Sequence, residues 1–465
     1  MAKQKTQYVC QSCGAVSMRW AGRCTECGEW NTICEEHVVD SGAHERPSFS
    51  EHGEPVPITS RGMELTQRTS TGNAECDRVL GGGIVPGSLT LIGGDPGIGK
   101  STLALKVACE LAHREQKVLY VSGEESAAQI KQRWLRIRGD VPAGPDIVTE
   151  TNIDSIMSLL RQPGYRYVIL DSIQTIHSPQ VYSQTGSINQ LKYAGLTILT
   201  MLKRFEQSHP LSFIVIGHVT KHGLAAGPKM LEHLVDVVLY FEGDRYTDLR
   251  FLKAVKNRFG PTDEIGIFDM SAAGIHGVQD PSCLFIQSQA GQNVGTAVTP
   301  SLQGNRVLFA EIQSLFVDAA YPNPRRITKG IRQARLNMLL ALLEKRCHLS
   351  FADKEVYVNI ASGLQIDDPA IDLAIAASLI SNFYDKPLKK HTAYFGELAL
   401  NGTVKHSRSA KRRISECLRL GFQTVFAPPN SVANGADSNG RVIAVDSIQT
   451  FIKQVLLDEN THPSV

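Results

Sequence analysis

Residues Gly94-Asp95-Pro96-Gly97-Ile98-Gly99-Lys100-Ser101 follow the apolar run SLTLIGG (88–94) and precede the helix-compatible stretch TLALKVACELAHRE (102–115). The octapeptide fits GxxxxGK[ST] in the strand-loop-helix context that gives this pattern its meaning. Glycines let successive backbone amides curl round phosphate oxygens, a lysine at position 100 reaches them as a point charge, and the helix N-terminus adds its dipole. The reading is a phosphate-binding loop of Gly94, Asp95, Pro96, Gly97, Ile98, Gly99, Lys100, Ser101 and Thr102. It takes a nucleoside triphosphate, ATP, with Ser101 as a ligand for Mg2+.

Working outward, the runs KVLYVSG, YRYVILD and LSFIVIG alternate with helix-compatible segments between about Arg61 and residue 285. This is the pattern of parallel strands with crossover helices, and the fold class is α/β. YRYVILDSIQT ends an apolar strand with Asp171 and Ser172, where ATPases of this layout hold magnesium; taken alone, Asp171 reads as a helix cap, and the phosphate loop beside it reverses that. KVLYVSGEES ends in adjacent carboxylates, and Glu124 is the first choice to orient or deprotonate an attacking water, with solvated charge at a strand end as the alternative. LSFIVIGHVTKHG delivers His218, Thr220 and Lys221 to the same edge, where they would sense the γ-phosphate or couple to DNA loops, or where His218 simply satisfies a core hydrogen bond.

Before this domain, residues 1–35 hold Cys10-x-x-Cys13 and Cys24-x-x-Cys27 with ten residues between the pairs. Two such knuckles place four thiolates tetrahedrally about one Zn2+. Gly14 and Gly28 suit the tight turns, and Cys34 is read as an ordinary thiol. Residues 36–60 are polar, proline-bearing and aperiodic, a linker. After a loop around 288–296, the pattern resets in a final domain, 286–465, with helices over RLNMLLALLEKR and PAIDLAIAASLIS and a strand over EVYVNIASG.

Composition bounds these readings. The chain has 465 residues, 42% hydrophobic and 20% charged, with a net charge of +2. That length implies two large domains and a small one. The near-neutral charge neither supports nor excludes a nucleic acid, since a balanced total can hide a basic channel. The N-terminus lacks the apolar core of a secretory signal, and no uncharged run reaches the roughly 20 residues of a membrane span, so the expectation is a cytoplasmic protein with no membrane partner. Five of the ten cysteines crowd the first 35 residues, which points to metal rather than disulfides.

Taken in order, the four-cysteine finger, ECDRVLGGGIVPGSLTLIGGDPGIGKSTL, YVSGEES, YRYVILDSIQTIHSP, Lys256-Asn257-Arg258-Phe259-Gly260 and the final domain resemble the bacterial RadA (Sms) DNA-repair family over essentially the whole chain. The resemblance implies a RecA-like ATPase core with a Lon protease-like C-terminal domain. It implies a hexameric ring that binds single-stranded and branched DNA, promotes branch migration, and works with a RecA-type recombinase and a replicative helicase. It also turns KNRFG, otherwise a basic turn between strands, into a distinguishing element: Lys256 and Arg258 become catalytic candidates suited to a neighbouring subunit's nucleotide or to DNA phosphates. Candidate DNA loops are 177–189 and 221–229.

The Lon-like stretch around Asp368-Pro369-Ala370 puts Ala370 where a protease serine would stand, with Lys411 where the lysine base would. Without a hydroxyl there is no acyl intermediate, so an ATP-dependent protease is disfavoured. Lys405, Arg408, Lys411, Arg412 and Arg413 form a basic run that would bind duplex DNA or serve as a solvated helix face. An ATP-switched scaffold that loads other recombination proteins and a Ser/Thr phosphotransferase remain alternative classes. The paired CxxC spacing predicts one zinc per chain by elemental analysis, lost together with the finger's fold when Cys10 is replaced by serine; so short a segment takes most of its folding free energy, roughly 10 kcal/mol or more, from the metal.

Overall fold

A computed structural model describes residues 4–10, 15–26, 28–30, 32–39, 67–138, 143–161, 164–205, 210–218, 227–243, 249–271, 274–278, 280, 293–319, 323–361, 365–431 and 441–457. The chain divides into two compact units, Met1–Val278 and Gln279–Val465.

The first unit opens with a small antiparallel sheet, β1 (Gln4–Cys10), β2 (Val16–Ser17) and β3 (Ile33–Val39), in the order β2-β1-β3. Among the described residues its interior is Cys10, Cys24 and Ile33 with Tyr8, Ala15 and Ala21 against them. A core this small does not hold a fold by apolar burial alone, so the cysteines carry the argument.

The larger layer is a nine-stranded sheet. In chain order its elements are α1 (Ala74–Leu80), β4 (Leu89–Gly93), α2 (Lys100–His113), β5 (Val118–Ser122), α3 (Ala127–Arg138), β6 (Asp146–Thr149), α4 (Ile153–Leu160), β7 (Tyr167–Asp171), α5 (Ile188–Phe205), β8 (Ser212–Ile216), α6 (Gly227–Leu234), β9 (Val237–Gly243), β10 (Leu249–Asn257), β11 (Ile265–Ser271) and β12 (Gly274–Gly277). The order is β12-β11-β10-β9-β4-β8-β7-β5-β6. Strands β9, β4, β8, β7, β5 and β6 are parallel, while β10, β11 and β12 extend the sheet antiparallel. Strand β4 is buried along its whole length because both faces are covered. Ile92, Tyr120, Ile169 and Ile214 face a core completed by α1 to α3, and Leu91, Val121, Leu170 and Val215 face a second core completed by α4 to α6. Alternate residues of each strand thus serve opposite layers. The expected parallel core is present; the antiparallel extension carries KNRFG on β10 and the turn after it.

The second unit is a seven-stranded mixed sheet with helices. Strands β13 (Thr296–Gln303), β14 (Arg306–Asp318) and β15 (Arg326–Lys329) precede α7 (Gln333–Cys347), β16 (Lys354–Ile360), α8 (Asp372–Phe383) and β17 (Thr392–Tyr394). The short hairpin β18 (Glu397–Leu398) and β19 (Val404–Lys405), then α9 (Ala410–Arg419), β20 (Thr424–Ala427), β21 (Val442–Ala444) and α10 (Ile448–Leu457), complete it. The sheet order is β15-β16-β14-β13-β17-β20-β21.

Here one expectation is corrected. Arg413 does not belong to a surface basic run: it is 1% exposed, and its guanidinium pairs with Asp368 at 2.7 Å. It also donates to the Arg408 carbonyl at 3.1 Å and to that of Pro300, and lies 5.7 Å from the Phe395 ring centre. On an amphipathic helix a long cation can turn inward when it finds such acceptors; Lys405, Arg408, Lys411 and Arg412 stay exposed. Asp368 in turn caps the short turn Pro369–Ile371, accepting from the Ala370 amide at 3.1 Å. Removing one partner of a buried, hydrogen-bonded ion pair leaves the other uncompensated. Arg413→Ala is therefore expected to destabilise the second unit by about 3–5 kcal/mol in urea unfolding, whereas Arg412→Ala has an effect below about 0.5 kcal/mol.

Candidate nucleotide site

Strands β4, β5, β7 and β8 end at one edge of the sheet, because they are parallel neighbours in register, Ser122 opposite Asp171 and Ile92 opposite Ile216. Each apolar strand therefore delivers the polar residues that follow it to the same edge, where α/β sheets bind their ligands. From β4 the chain enters the loop 94–99, with Gly94, Gly97 and Gly99 at φ of 151°, 77° and 111°. A side chain at Gly94 would place its Cβ 2.3 Å from the Phe241 carbonyl oxygen, so only glycine lets the loop lie against β9 there. Helix α2 begins at Lys100, with Ile98 buried beneath the loop and Ser101 and Thr102 in its first turn.

Lys100 is buried, its Nζ donating to the carbonyls of Gly94 at 2.8 Å and Asp95 at 2.9 Å. Burial lowers its pKa from the ordinary lysine value, against the pull of Asp171, Asp95 and Glu124. Asp171 is buried too, and burial raises its carboxyl above the usual range despite hydrogen bonds from Tyr120, at 2.6 Å, and Ser101. Both groups thus bear a desolvation cost that their surroundings offset only in part. A triphosphate beside the lysine and a divalent cation beside Ser101 and Asp171 would supply the missing opposite charge, so the residues fit ATP and magnesium.

The two acidic residues after β5 separate cleanly. Glu125 is tied down: its backbone amide and carbonyl bond the Ser122 hydroxyl at 3.0 and 2.8 Å, and Arg133 takes its carboxylate. Glu124 instead turns toward Ser172, which donates to its Oε1, and toward His218, whose Nε2 lies 3.2 Å away. Burial pushes the Glu124 carboxyl up, but these hydrogen bonds and the His218 and Lys100 charges outweigh it, and its pKa falls below the ordinary glutamate value. It is held as a carboxylate.

The turn carrying Glu124 is fastened to the turn after β7. The Gly123 amide donates to the Asp171 carbonyl at 2.8 Å, the Thr175 hydroxyl to the Ser172 carbonyl at 2.8 Å, and a Cβ at Gly123 would fall 1.9 Å from the Thr175 Oγ1. The peptide between Asp171 and Ser172 is cis. Ser172 follows Asp171 at the strand end that the sequence marks, whereas the only sequence signal for Tyr120 and Thr175 is a hydroxyl inside or beyond an otherwise aliphatic strand.

Lys256 and Arg258 lie elsewhere. The end of β10 pairs with the start of β9, Asn257 opposite Val237, while the phosphate loop follows Gly93, opposite Tyr240 on the same strand. The two sites are at opposite ends of the sheet, separated by at least roughly 10 Å of strand rise. Lys256 donates to the carbonyls of Glu232, His233 and Val235 at 2.8, 3.4 and 2.6 Å, fastening the C-terminus of α6. Asn257 bonds its own strand-turn, accepting from the Phe259 amide at 3.0 Å. Arg258 is 58% exposed and meets Asp236 at 3.2 Å. Lys256 is thus chiefly a structural cation, and Arg258 is the member of the pentapeptide that faces outward.

Cys10 and Cys24, one from each CxxC pair, are buried in one cluster, and the Cys10 Sγ lies 3.2 Å from the Thr32 Oγ1. Backbone bonds from Cys10 to Ala15, and from Cys24 to Glu29, fold the two knuckles alike. That pairing fits a tetrathiolate ion, with Cys13 and Cys27 outside the described residues. Thr220, Lys221 and most of the loop 221–229 also lie outside them. In the second unit, Ala370 is buried and has no hydroxyl, and Lys411 is exposed on α9. No described helix is long and apolar enough to cross a membrane.

A glycine-rich phosphate loop, acidic residues at neighbouring strand ends and a parallel core define a RecA-like P-loop ATPase fold, preceded by a zinc-ribbon finger and followed by a Lon-like α/β domain. Known families agree: a model described as an AAA domain matches residues 60–223, one described as a rubredoxin metal binding domain matches 8–35, and one described as subunit ChlI of Mg-chelatase matches 328–431. The proteins called DNA repair protein RadA in Streptococcus pyogenes and Bacillus subtilis are 41% and 40% identical, each over 98% of this chain and 100% of the relative. That of Listeria monocytogenes is 39% identical over 98% of this chain and 99% of its own. The chain belongs to the DNA repair protein RadA family. Among solved structures, the crystal structure of the RadB recombinase is 24% identical, with a TM-score of 0.36, over 45% of this chain and 99% of that one.

Removing the Ser172 hydroxyl leaves burial less opposed at Glu124 and raises its pKa. Because the carboxylate form is then lost at a higher pH, the acid limb of the ATP-turnover profile of Ser172→Ala is expected to move to higher pH than in the wild type. An unmoved limb would separate Glu124 from the rate.

Proposed function

We propose that this chain is a DNA-dependent ATPase of recombinational repair, which binds single-stranded DNA and drives branch migration as a ring-shaped oligomer. The observation that carries the reading is the convergence of Lys100, Ser101, Asp171 and Glu124 on one sheet edge, with Glu124 kept ionised. In this reading the loop 94–102 binds the triphosphate and Lys100 steadies its outer oxygens. Ser101 and Asp171 hold magnesium, which neutralises charge on the phosphates when bound. Glu124 orients the attacking water and accepts its proton, with Ser172 and His218 fixing the carboxylate.

His218, which touches Glu124, precedes the candidate DNA loop 221–229 in sequence, and in this reading it couples DNA binding to Glu124. The outward Arg258, at the far end of the sheet from its own phosphate loop, supports an assembly in which it serves the nucleotide of a neighbouring chain or the DNA. A hexamer matches the resemblance. Cys10, Cys13, Cys24 and Cys27 would bind zinc. Peptidase activity has no nucleophile at Ala370 and is not part of the reading.

Lys100→Ala is expected to lower ATP turnover on the order of 100-fold or more; turnover within twofold of the wild type would remove the assigned site. Arg258→Ala is expected to retain nucleotide binding by each chain and to lose strand movement on branched substrates. Unchanged branch-migration rates would contradict the role given to it.

A further inference from the structure

The finger carries two of the chain's three tryptophans, and both are exposed: Trp20 by 62% and Trp30 by 70%. Indole is large and mostly apolar and is normally well buried, so a pair left in water on so small a body calls for an occupant. The two rings are neighbours. A Cβ built on Gly22 would lie 3.8 Å from Trp20 Cη2 and 3.9 Å from Trp30 Cζ3, so the two indoles flank the same point of the backbone.

Two arginines, Arg19 and Arg23, lie beside the rings, while the exposed carboxylates of Glu26 and Glu29 follow on the second knuckle. Arg19 is exposed beside Trp20. Arg23 is fixed, its Nε donating to the Gly28 carbonyl at 2.7 Å while its guanidinium sits 5.7 Å from the centre of the Trp30 ring. Arg23 and Trp30 also face each other across a backbone bridge, which holds the cation and the ring together.

Flat apolar faces beside fixed positive charge match a ligand that is itself flat, apolar and anionic by turns, and the unpaired bases and phosphates of single-stranded DNA are such a ligand. We propose that Trp20 and Trp30, with Arg19 and Arg23, form a stacking platform on the finger for bases of single-stranded DNA. None of these four residues belongs to the phosphate loop or to the segments 177–189 and 221–229. The platform reads bases by their faces and is therefore tolerant of sequence. The inference rests on the proposed single-stranded DNA binding of the chain and assigns part of it to the finger.

The test uses the full-length, zinc-loaded chain and oligothymidylate. In Trp134→Phe, which leaves Trp20 and Trp30 as the emitters, oligothymidylate is expected to quench tryptophan fluorescence saturably. Trp20→Ala/Trp30→Ala, with its zinc content and ATP turnover without DNA unchanged, is expected to bind oligothymidylate ~10-fold or more weakly, and Trp20→Phe/Trp30→Phe to recover most of that loss because a ring is restored. An alanine pair that binds within twofold of the wild type overturns the platform while leaving DNA binding by the rest of the chain intact. Quenching by a RecA-type recombinase and not by oligothymidylate overturns it in favour of a protein partner. Wild-type protein with no affinity for oligothymidylate overturns both the platform and the single-stranded DNA binding it rests on.

Discussion

The site depends on the fastening of two strand ends. The Gly123 amide bonds the Asp171 carbonyl, and Ser172, the next residue, donates to Glu124. One short span of backbone thereby fixes the distance between the carboxylate beside Ser101 and the carboxylate that faces outward. The close approach of Thr175 to Gly123 excludes any larger residue there and leaves the two turns little room to separate. In a low-dielectric edge such fixed placement gives charged groups a strength that they lack in water.

The same edge shows how burial divides labour among like groups. Asp171 and Lys100 are both buried and both shifted toward their neutral forms, so each gains from a charged ligand. Glu124 is half-exposed and shifted the other way, because hydrogen bonds stabilise its charged form more than burial opposes it. Environments that push neighbouring titratable groups apart commonly mark a reaction site. Glu125, one residue on, is spent on Arg133 and on its own turn.

Much of this was legible in the sequence where chemistry is local. The loop 94–101, the strand-end acids, the helices over 333–347 and 372–383 and the doubled CxxC each follow from short-range spacing. What spacing does not reveal is partnership across the fold. Glu124 is the first choice from sequence, but the contact that distinguishes it from Glu125 is Ser172, brought alongside by the pairing of β5 with β7. Lys256 reads as a free cation until α6 is seen to end against it, and Arg413 reads as one of five surface cations until Asp368 and Pro300 are seen to receive it. Long side chains are amphipathic, and their letters do not say which end of that character is used. The exposure of Trp20 and Trp30 was equally silent, since apolar residues near cysteines read first as core.

The central claim is that a phosphate loop and a stapled glutamate act together on bound ATP. The direct measurement is ATP binding and turnover by Glu124→Gln, which keeps the side chain's size and its hydrogen-bonding reach. The account predicts ATP affinity close to the wild type with turnover reduced by ~100-fold or more. Turnover within twofold of the wild type would contradict it.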